Sequence, residues 1–319
     1  MWKYGKQMLA AILAVLALSG SAAAGAAELV PVGRTVGIEI QTGQVTVVGF
    51  SENVHAAQAA GLQEGDVIES VAGACIHAAS DIAPLLSAEP TRVTVLRSGR
   101  RQEYYLQPEQ HHAQWCLGLL VQDTMTGIGT VTYYDPDTGS FGALGHGVSE
   151  KNQKELVPMT HGRLLPSSVI SVEKSSKGKP GSLRGALERK TIGSVERNTA
   201  SGIFGQLELS DCGEAMCVAT DAEVQCGEAY ILSNVSGREA RRYRVQIEQV
   251  SPDDPQGRNL LLHVTDEALL QCTGGIVQGM SGSPIVQDGK LIGAVTHVLV
   301  DDPTRGYGIL MEHMLQAAG

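Results

Sequence analysis

Residues 275–285 read Gly-Ile-Val-Gln-Gly-Met-Ser-Gly-Ser-Pro-Ile, an apolar approach that runs into a glycine- and serine-rich turn. A nucleophilic serine needs such a turn to expose its hydroxyl, and it needs backbone N–H groups aimed at the developing oxyanion. Gly279 lets the chain turn so that its N–H and that of Ser281 converge, and Gly282 leaves room for a substrate. An Asp-Gly pair at 288–289 then predicts a β-hairpin. The stretch favours a β protein. It predicts Ser281 as nucleophile and the Gly279 and Ser281 N–H groups as oxyanion donors. A glycine- and serine-rich turn without a catalytic role is the alternative.

The composition of the 319-residue chain is typical of a mostly β protein with two domains and an N-terminal segment. It has 38 Gly but only 3 Phe and 2 Trp, which indicates many tight turns and short strands. The formal net charge is −10 and no Lys/Arg-rich run occurs, so a nucleic acid is not expected as a partner. A His-Glu-x-x-His pattern is absent from the sequence, which disfavours a metallopeptidase.

A histidine and an aspartate complete the candidate chemistry. His146 lies between two glycines in the stretch 141–148, Phe-Gly-Ala-Leu-Gly-His-Gly-Val, where an accessible bend suits a general base. Asp266 precedes Ser281 by 15 residues and would orient the histidine. On the residues alone, Asp266 is one of several acids that fit, and it fits the N-cap of a helix beginning at Glu267 as well. The rival acids are Asp137, Asp253, Asp301 and Asp302.

The sequence leaves open the role of His297 and the pairing of the six cysteines. His297 lies in an apolar strand pattern and fits either a core histidine or one that lines the site. Some cysteines of an exported protein could pair, but the absence of a Cys-x-x-Cys spacing means that they match no zinc signature. The expected mechanism requires no metal and no cofactor. The cysteines are Cys75, Cys116, Cys212, Cys217, Cys226 and Cys272.

The first 27 residues are typical of a targeting segment. Lys3 and Lys6 precede an apolar run over 8–18, and small residues follow up to 27. This is the order of a secretory signal. Residues 8–27 are also 20 uncharged residues, enough to span a bilayer. We therefore expect an exported protein in which residues 1–27 are either a cleaved signal or a membrane anchor.

Residues 28–107 predict a small β domain with two helices. An alanine-rich helix ends at Gly61, and a strand follows over 67–71. Residues 60–73, Ala-Gly-Leu-Gln-Glu-Gly-Asp-Val-Ile-Glu-Ser-Val-Ala-Gly, resemble the signature of PDZ domains in bacterial proteases. Such domains bind an extended peptide as an added strand, and the resemblance places the loop for its carboxylate at 33–37. The nearest equivalents of the peptide-binding residues are Val36, Gly37 and Ile38. A small β domain without a peptide ligand is the alternative.

Four segments together resemble the stage IV sporulation protein B family of peptidases. The serine turn by itself is similar to the Gly-Asp-Ser-Gly-Gly-Pro of trypsin-like proteases, with Met280 in place of Asp and Ser283 in place of the later Gly. The resemblance implies a trypsin-like double β-barrel peptidase domain over 108–319. It also implies a triad of His146, Asp266 and Ser281, and so it selects Asp266 where spacing does not. The four segments are 142–147, 265–270, 274–285 and 292–309.

The resemblance further implies a biological role. Peptidases of this family are exported from the forespore into the space facing the mother cell, and they cleave themselves near the N-terminus. They then cut a membrane-bound regulator of an intramembrane protease, which leads to activation of a late sigma factor. The expected partners are therefore this regulator, the chain itself, a peptide ligand of the PDZ domain and the membrane. Residues 28–36, as an exposed linker, are the predicted region of self-cleavage.

Three alternatives are weighed against this interpretation. General exported quality-control proteases with PDZ domains usually carry them after the peptidase unit, whereas here the order is reversed. Proteases that process C-termini use a serine with a lysine, and Lys290 lies beyond the hairpin turn. A non-catalytic PDZ scaffold would have lost a triad member, and the sequence retains all three.

Overall fold

The structure, a computed structural model, describes residues 27–149, 155–210 and 213–319. It is mostly β, as the composition predicts. The predicted targeting segment, apart from its last residue, and Cys212 lie outside the described residues. Within the described ranges, no helix is both long enough and apolar enough to cross a membrane.

The described strands and helices are given in chain order. The strands are β1 (Glu28–Pro31), β2 (Thr35–Phe50), β3 (Val67–Val71), β4 (Ala74–Cys75), β5 (Thr91–Arg97), β6 (Arg100–Leu106), β7 (Glu109–His111), β8 (Gln114–Cys116), β9 (Leu119–Tyr134), β10 (Ser140–Ala143), β11 (His161–Glu173), β12 (Ser182–Leu187), β13 (Gly193–Thr199), β14 (Gly202–Leu207), β15 (Met216–Cys217), β16 (Gly227–Ser233), β17 (Arg241–Val250), β18 (Leu260–Val264), β19 (Pro284–Gln287), β20 (Lys290–Leu299) and β21 (Asp302–Leu310). The α-helices are α1 (Ala56–Ala60), α2 (Glu267–Thr273) and α3 (Met311–Ala318). Short 3-10 helices occur at Ala79–Asp81, Ala83–Leu85 and Asp221–Glu223.

The first barrel is a ring of six strands in the order β2, β9, β10, β14, β13 and β11, closed where β2 also pairs with β9. Alternate side chains of these strands point inward, as the period of two in a strand requires. Ile40, Phe141, Leu164 and Ile203 fill the interior and are each at most 1% exposed. Burial of each such side chain stabilises the fold by about 1.5–3 kcal/mol.

The second barrel is closed by six strands in the order β16, β17, β18, β21, β20 and β19. Its core contains Ile231, Ile247 and Leu260, each 0% exposed. The predicted Asp-Gly hairpin joins β19 to β20, with φ of 49° at Asp288 and 77° at Gly289. Both angles are positive, as a type I′ turn requires. Two six-stranded antiparallel barrels are consistent with the predicted trypsin-like fold.

Helix α3 packs against both barrels where they meet. Met311 and Met314 of this helix are both 0% exposed. They belong to one apolar cluster with Tyr133 and Phe204 of the first barrel and Leu291 of the second. The last helix therefore buries apolar surface of both barrels at once.

A small unit continues directly from two strands of the first barrel. β2 and β9 are 16 residues long each. Residues 35–41 of β2 pair with 124–130 of β9 inside the barrel, and residues 46–50 pair with 119–122 beyond it. The structure corrects the predicted boundary between domains at 28–107 and 108–319. Residues 35–41 of β2 belong to the barrel, and the small unit is inserted in sequence between the barrel part of β2 and the barrel part of β9.

The predicted peptide-binding loop is also corrected. Val36, Gly37 and Ile38 lie within β2, where one edge pairs with β9 and the other with β11. A peptide can be added as a strand only where an edge is free. These three residues therefore build the first barrel and cannot receive a peptide in that way.

The segment predicted as a self-cleavage linker is not an exposed linker. β1 pairs with both β15 and β9. Leu29 is 5% exposed and Val30 is 2% exposed. A peptidase cuts an extended and accessible chain, so cleavage within 28–36 would first require β1 to leave its sheets.

The small unit has its own core, and the sequence signature at 60–73 has a structural cause within it. Helix α1 ends at Gly61 with φ of 94°, as predicted. Asp66 is 0% exposed, and its carboxylate accepts hydrogen bonds from Arg97 Nε at 2.6 Å and from Gln63 N at 2.8 Å. The Arg97 guanidinium and the Gln63 N–H outweigh the burial that opposes them, so the pKa of Asp66 is lowered. In place of the second of the two predicted helices there are two 3-10 turns, Ala79–Asp81 and Ala83–Leu85.

The continuity of β2 and β9 predicts which deletion the barrels tolerate. Gln41 pairs with Thr124, and Thr42 Oγ1 donates to Asp123 O at 3.1 Å. Replacement of 43–122 by Asn-Gly should therefore close a two-residue hairpin and leave both barrels folded. Deletion of 28–107 removes β1 and all of β2, a strand of the first barrel, and should abolish cooperative unfolding. Circular dichroism and thermal melts of the two variants test this, and equal behaviour of the two would contradict the inserted position of the small unit.

Candidate active site

The serine turn is a tight loop between helix α2 and strand β19. Gly279 and Gly282 have φ of 100° and 95°, a region that other residues rarely adopt. A Cβ on Gly282 would lie 2.1 Å from Thr130 O, so only glycine fits there. Gln278 N donates to Gly181 O at 2.9 Å, and Leu183 N donates to Gln278 O at 2.8 Å. Both backbone polar groups of Gln278 thus hold the start of the loop to residues 181–183.

Thr130 of the first barrel holds the serine turn of the second. Its N–H donates to Ser281 O at 3.0 Å, and its hydroxyl donates to Gly279 O at 2.7 Å. Its own carbonyl accepts from Leu144 N at 3.2 Å, two residues before His146. One buried threonine therefore positions both the serine turn and the histidine loop.

The oxyanion donors predicted from the sequence are available in this turn. Gln278 O accepts from Leu183 N at 2.8 Å and Met280 O accepts from Ser283 N at 2.9 Å, so the two peptide units that carry the Gly279 and Ser281 N–H groups have fixed orientations. Among the described residues, neither the Gly279 N–H nor the Ser281 N–H donates a hydrogen bond to a protein acceptor. Two fixed and unused donors beside a serine hydroxyl are what an oxyanion hole needs.

His146 and Ser281 face the same cleft, which has a volume of about 710 Å³ and lies between the barrels. The His146 loop turns through Leu144 and Gly145, with φ of 71° and 68°. The His146 ring is half-buried, and its Nδ1 lies 2.9 Å from Gly147 O. Ser281 Oγ donates to Thr296 O at 2.7 Å. The hydroxyl therefore has to turn away from this carbonyl before its proton can pass to His146, which is common in sites without substrate.

His297 lines the same cleft. Its ring centroid lies 4.7 Å from that of His146, with an angle of 36° between the ring planes. Of the two alternatives left open by the sequence, the structure favours a place at the site.

Asp266 is not brought to this pair. It is the N-cap of helix α2, where its Oδ1 accepts from Leu269 N at 3.1 Å and its Oδ2 from Arg244 N at 3.3 Å. It does not line the cleft that contains His146 and Ser281. Of the predicted triad, the structure brings together the histidine and the serine, and it gives the aspartate the alternative role of a helix cap.

The walls of the cleft are apolar. Apart from the two histidines, none of its described lining residues carries an ionisable side chain. Strand β2 contributes Ile38 and Ile40, and strand β9 contributes Met125 and Ile128. A cleft of this kind binds apolar side chains of an extended peptide.

Sequence reasoning did not find Thr130 or Thr296. Both are at most 5% exposed and lie in strands, where a β-branched residue with an apolar neighbourhood is ordinary. Nothing in the local pattern marks them, because their partners lie far away in the sequence.

The two histidines have lowered pKa values. Burial lowers the pKa of His146 below its ordinary 6.5, and the hydrogen bond with Gly147 O only partly opposes this. Partial burial, repulsion from His146 and repulsion from Arg258 lower the pKa of His297. Both rings are therefore neutral near pH 7, which is the state that a general base requires.

This lowering predicts the acid side of the pH profile. A protonated His146 cannot accept the Ser281 proton, and burial delays protonation to lower pH. The acid limb of kcat/KM should therefore have its midpoint below 6.5. Initial rates against pH, with a peptide substrate that carries no titrating group in this range, measure the midpoint. A midpoint at or above the ordinary histidine value would contradict the prediction, since that is the effect of a neighbouring carboxylate.

The model of the SpoIVB peptidase S55 family matches residues 113–315, more than half of the chain. An inactive form of Rv3671c from M. tuberculosis H37Rv, with serine replaced by alanine, is 14% identical with a TM-score of 0.36, over 60% of this chain and 80% of that chain. The active form of the Rv3671c protease from M. tuberculosis is also 14% identical, with a TM-score of 0.34, over 62% of this chain and 75% of that chain. Among curated proteins there is no match.

Proposed function

The chain belongs to the SpoIVB peptidase S55 family and is a serine endopeptidase, and we propose that Ser281 is its nucleophile and His146 its general base. The observation that carries this assignment is the meeting of both side chains in one cleft between the barrels, beside two unused N–H donors. Ser281 is the one serine of the turn that lines the cleft, since Ser283 is buried and donates to Ser233 Oγ at 3.0 Å.

The proposed reaction is acyl transfer. Ser281 Oγ attacks the carbonyl carbon of the scissile bond while His146 Nε2 takes the hydroxyl proton. The N–H groups of Gly279 and Ser281 hold the oxyanion, a contribution of about 3–4 kcal/mol per donor. His146 then gives its proton to the leaving amine, and the C–N bond breaks to leave an acyl-enzyme. Water, deprotonated by His146, attacks the ester and restores the Ser281 hydroxyl.

The biological role that we propose is intercompartmental signalling during sporulation. The family name and the four sequence segments that resemble the family support it. In this role the exported chain, anchored through residues 8–27 or released into the space between forespore and mother cell, cleaves itself. It then cuts a membrane-bound regulator of an intramembrane protease and so leads to activation of a late sigma factor. The small unit, with its PDZ-like signature at 60–73, would bind a peptide of the substrate or of the chain itself.

Replacement of Ser281 tests the proposed nucleophile. The wild-type chain should be shortened at its N-terminus after expression, and Ser281→Ala should stay intact, because loss of the nucleophile lowers kcat by at least about 10⁴-fold. Mass spectrometry of the two proteins measures the trimming. Ser283→Ala, in the same turn but outside the cleft, is the matched control and should be shortened like the wild type.

Activity on a peptide substrate decides the assignment where trimming does not. If Ser281→Ala is shortened like the wild type, a host protease is responsible, and activity on a peptide substrate then decides whether Ser281 is needed. If Ser281→Ala cleaves that peptide at the wild-type rate, Ser281 is not the nucleophile.

The apolar cleft predicts the substrate preference. Peptides with Leu, Ile or Met beside the scissile bond should have kcat/KM at least about tenfold above those with Asp or Lys there. Ile128→Lys places a cation in the cleft wall, so it should lower kcat/KM for the apolar peptides and raise it for acidic ones. A peptide library read by mass spectrometry gives both comparisons. A preference for charged residues in the wild type would contradict the prediction.

A further inference from the structure

Strand β9 has one edge that no other strand covers over residues 119–128. Along its first edge, residues 119–130 pair with β2. Along its second edge, β10 pairs only with residues 131–134. Among the described residues, no backbone group of another segment bonds to the backbone of 119–128 on this second edge. The edge is therefore free from the small unit up to the cleft between the barrels.

The backbone groups of the even-numbered residues face this free edge. Thr130 N donates to Ser281 O, and Thr130 O accepts from Leu144 N, so both polar groups of Thr130 point away from β2. In an antiparallel pair, every second residue points its backbone groups to the same side. The pairing of 124–130 with β2 contains no bulge. The even-numbered residues within 124–128 therefore present their N–H and C=O groups in the same direction as Thr130.

The same orientation continues into the small unit. The bulge inserts residues 42–45 into β2 opposite a single residue, Asp123, so β9 itself stays continuous. Asp123 O accepts from Thr42 Oγ1 at 3.1 Å and so points towards β2. The backbone groups of its two neighbours, Gln122 and Thr124, therefore face the free edge.

This edge lacks the features that usually protect a free edge. Exposed edge strands are commonly short, or they carry a proline, a lysine or a bulge that prevents another strand from pairing. Residues 119–128 contain no proline, lysine or arginine, and the bulge lies in β2. Leu120 is 52% exposed, and a Cβ built on Gly127 would meet no described atom within 4 Å. A long and unprotected edge of this kind can receive an extended peptide.

The position of the edge indicates which peptide it receives. Residues 125–128 line the cleft that contains Ser281. Thr130, the next residue after Ile128 that faces this edge, holds the serine turn. A peptide paired with the edge therefore begins beside the nucleophile and extends towards the small unit. Gln122 precedes Thr130 by eight residues, and such a length of extended strand spans about 26 Å.

We propose that the free edge of β9 binds the substrate as an added strand that extends without a break from Ser281 to the small unit. The proposal rests on the proposed function and gives it a substrate class. That class is an extended segment of about eight residues or more on one side of the scissile bond, bound mainly through its backbone. The small unit then selects for a length of extended chain as well as for side chains.

The length of the substrate provides the first test. A fluorogenic peptide of about six residues, taken from the peptide library, is compared with versions that carry a tail of about ten residues on either side. A tail of alternating Val and Thr should raise kcat/KM at least about tenfold on one of the two sides, because several backbone hydrogen bonds form with β9. A Gly-Ser tail of equal length is flexible and should raise kcat/KM less than about threefold. Equal kcat/KM for the short peptide and for both Val-Thr peptides would overturn the proposal.

A proline at Gln122 provides the second test. Edge strands tolerate proline where the N–H faces away from the partner strand. Gln122→Pro should therefore fold, and it should lower the ratio of kcat/KM for the long Val-Thr peptide to that for the short peptide at least about fivefold. The matched control is Gln122→Ala, which keeps the backbone N–H and should keep this ratio within about twofold of wild type. An unchanged ratio in Gln122→Pro would overturn the proposal.

Hydrogen exchange gives a readout that does not depend on the folding of Gln122→Pro. In Ser281→Ala, which binds the long Val-Thr peptide without cleaving it, the N–H groups of Gln122, Thr124 and Thr126 should exchange rapidly without peptide and slowly with it. The N–H of Met125 faces β2 and should exchange slowly in both states. Residue-resolved NMR measures these rates. Equal rates at the three even-numbered positions with saturating peptide would overturn the proposal.

Two further outcomes separate this proposal from its rival and from the proposed function. If the wild type is a dimer that Gln122→Pro dissociates, and the long peptides bring no gain, the edge pairs with a second copy and the proposal is overturned. If Ser281→Ala and His146→Gln both cleave the short peptide at the wild-type rate, the proposed function fails. If both are inactive and the tails bring no gain in the wild type, only the present proposal fails.

Discussion

The contact of Thr130 with the serine turn is the constraint on which the site depends. Its N–H and hydroxyl hold the carbonyls of Ser281 and Gly279, and its own carbonyl holds the start of the histidine loop at Leu144. Gly282 lies so close to Thr130 O that no side chain fits between them. Two barrels with separate cores thus meet where chemistry requires atomic precision, and the contact consists of fixed backbone groups and one buried hydroxyl.

The same first barrel also carries the small unit, because β2 and β9 run through both. Residues 35–41 and 124–130 pair inside the barrel, and the pairs beyond them belong to the small unit. Ile38 and Ile128 of these strands stand in the wall of the cleft. The cleft and the small unit are therefore built on the same two strands. The pairing of β2 with β9 is interrupted by a bulge between Gln41 and Thr46, where the strands leave the barrel and enter the small unit.

The caps and turns that the sequence predicted depend on neighbouring residues. The features that it missed depend on contacts between residues far apart in the chain. Gly61, Asp288 and Gly289 behave as predicted, since caps and turns depend on a few adjacent residues. The glycines around Ser281 and His146 likewise marked the two loops that meet in the cleft. The hydroxyl of Thr130 and its acceptor Gly279 O are 149 residues apart in sequence, so no local pattern could pair them.

The errors in the first 40 residues have one cause. An alternating pattern such as 36–40 indicates a strand but does not tell which sheet receives it. The resemblance of 60–73 to a PDZ signature extended the small domain back to residue 28. The pairing of Val36–Ile38 with two barrel strands could not be read from the segment itself.

The orientation of His146 by a carbonyl has an energetic consequence that fits its surroundings. A buried carboxylate must be paired to offset its loss of hydration, and the described walls of the cleft offer no cation for that purpose. A neutral carbonyl that accepts from Nδ1 needs no such pairing. When the ring is protonated, the hydrogen bond from this charged donor to the carbonyl contributes about 1.5–3 kcal/mol.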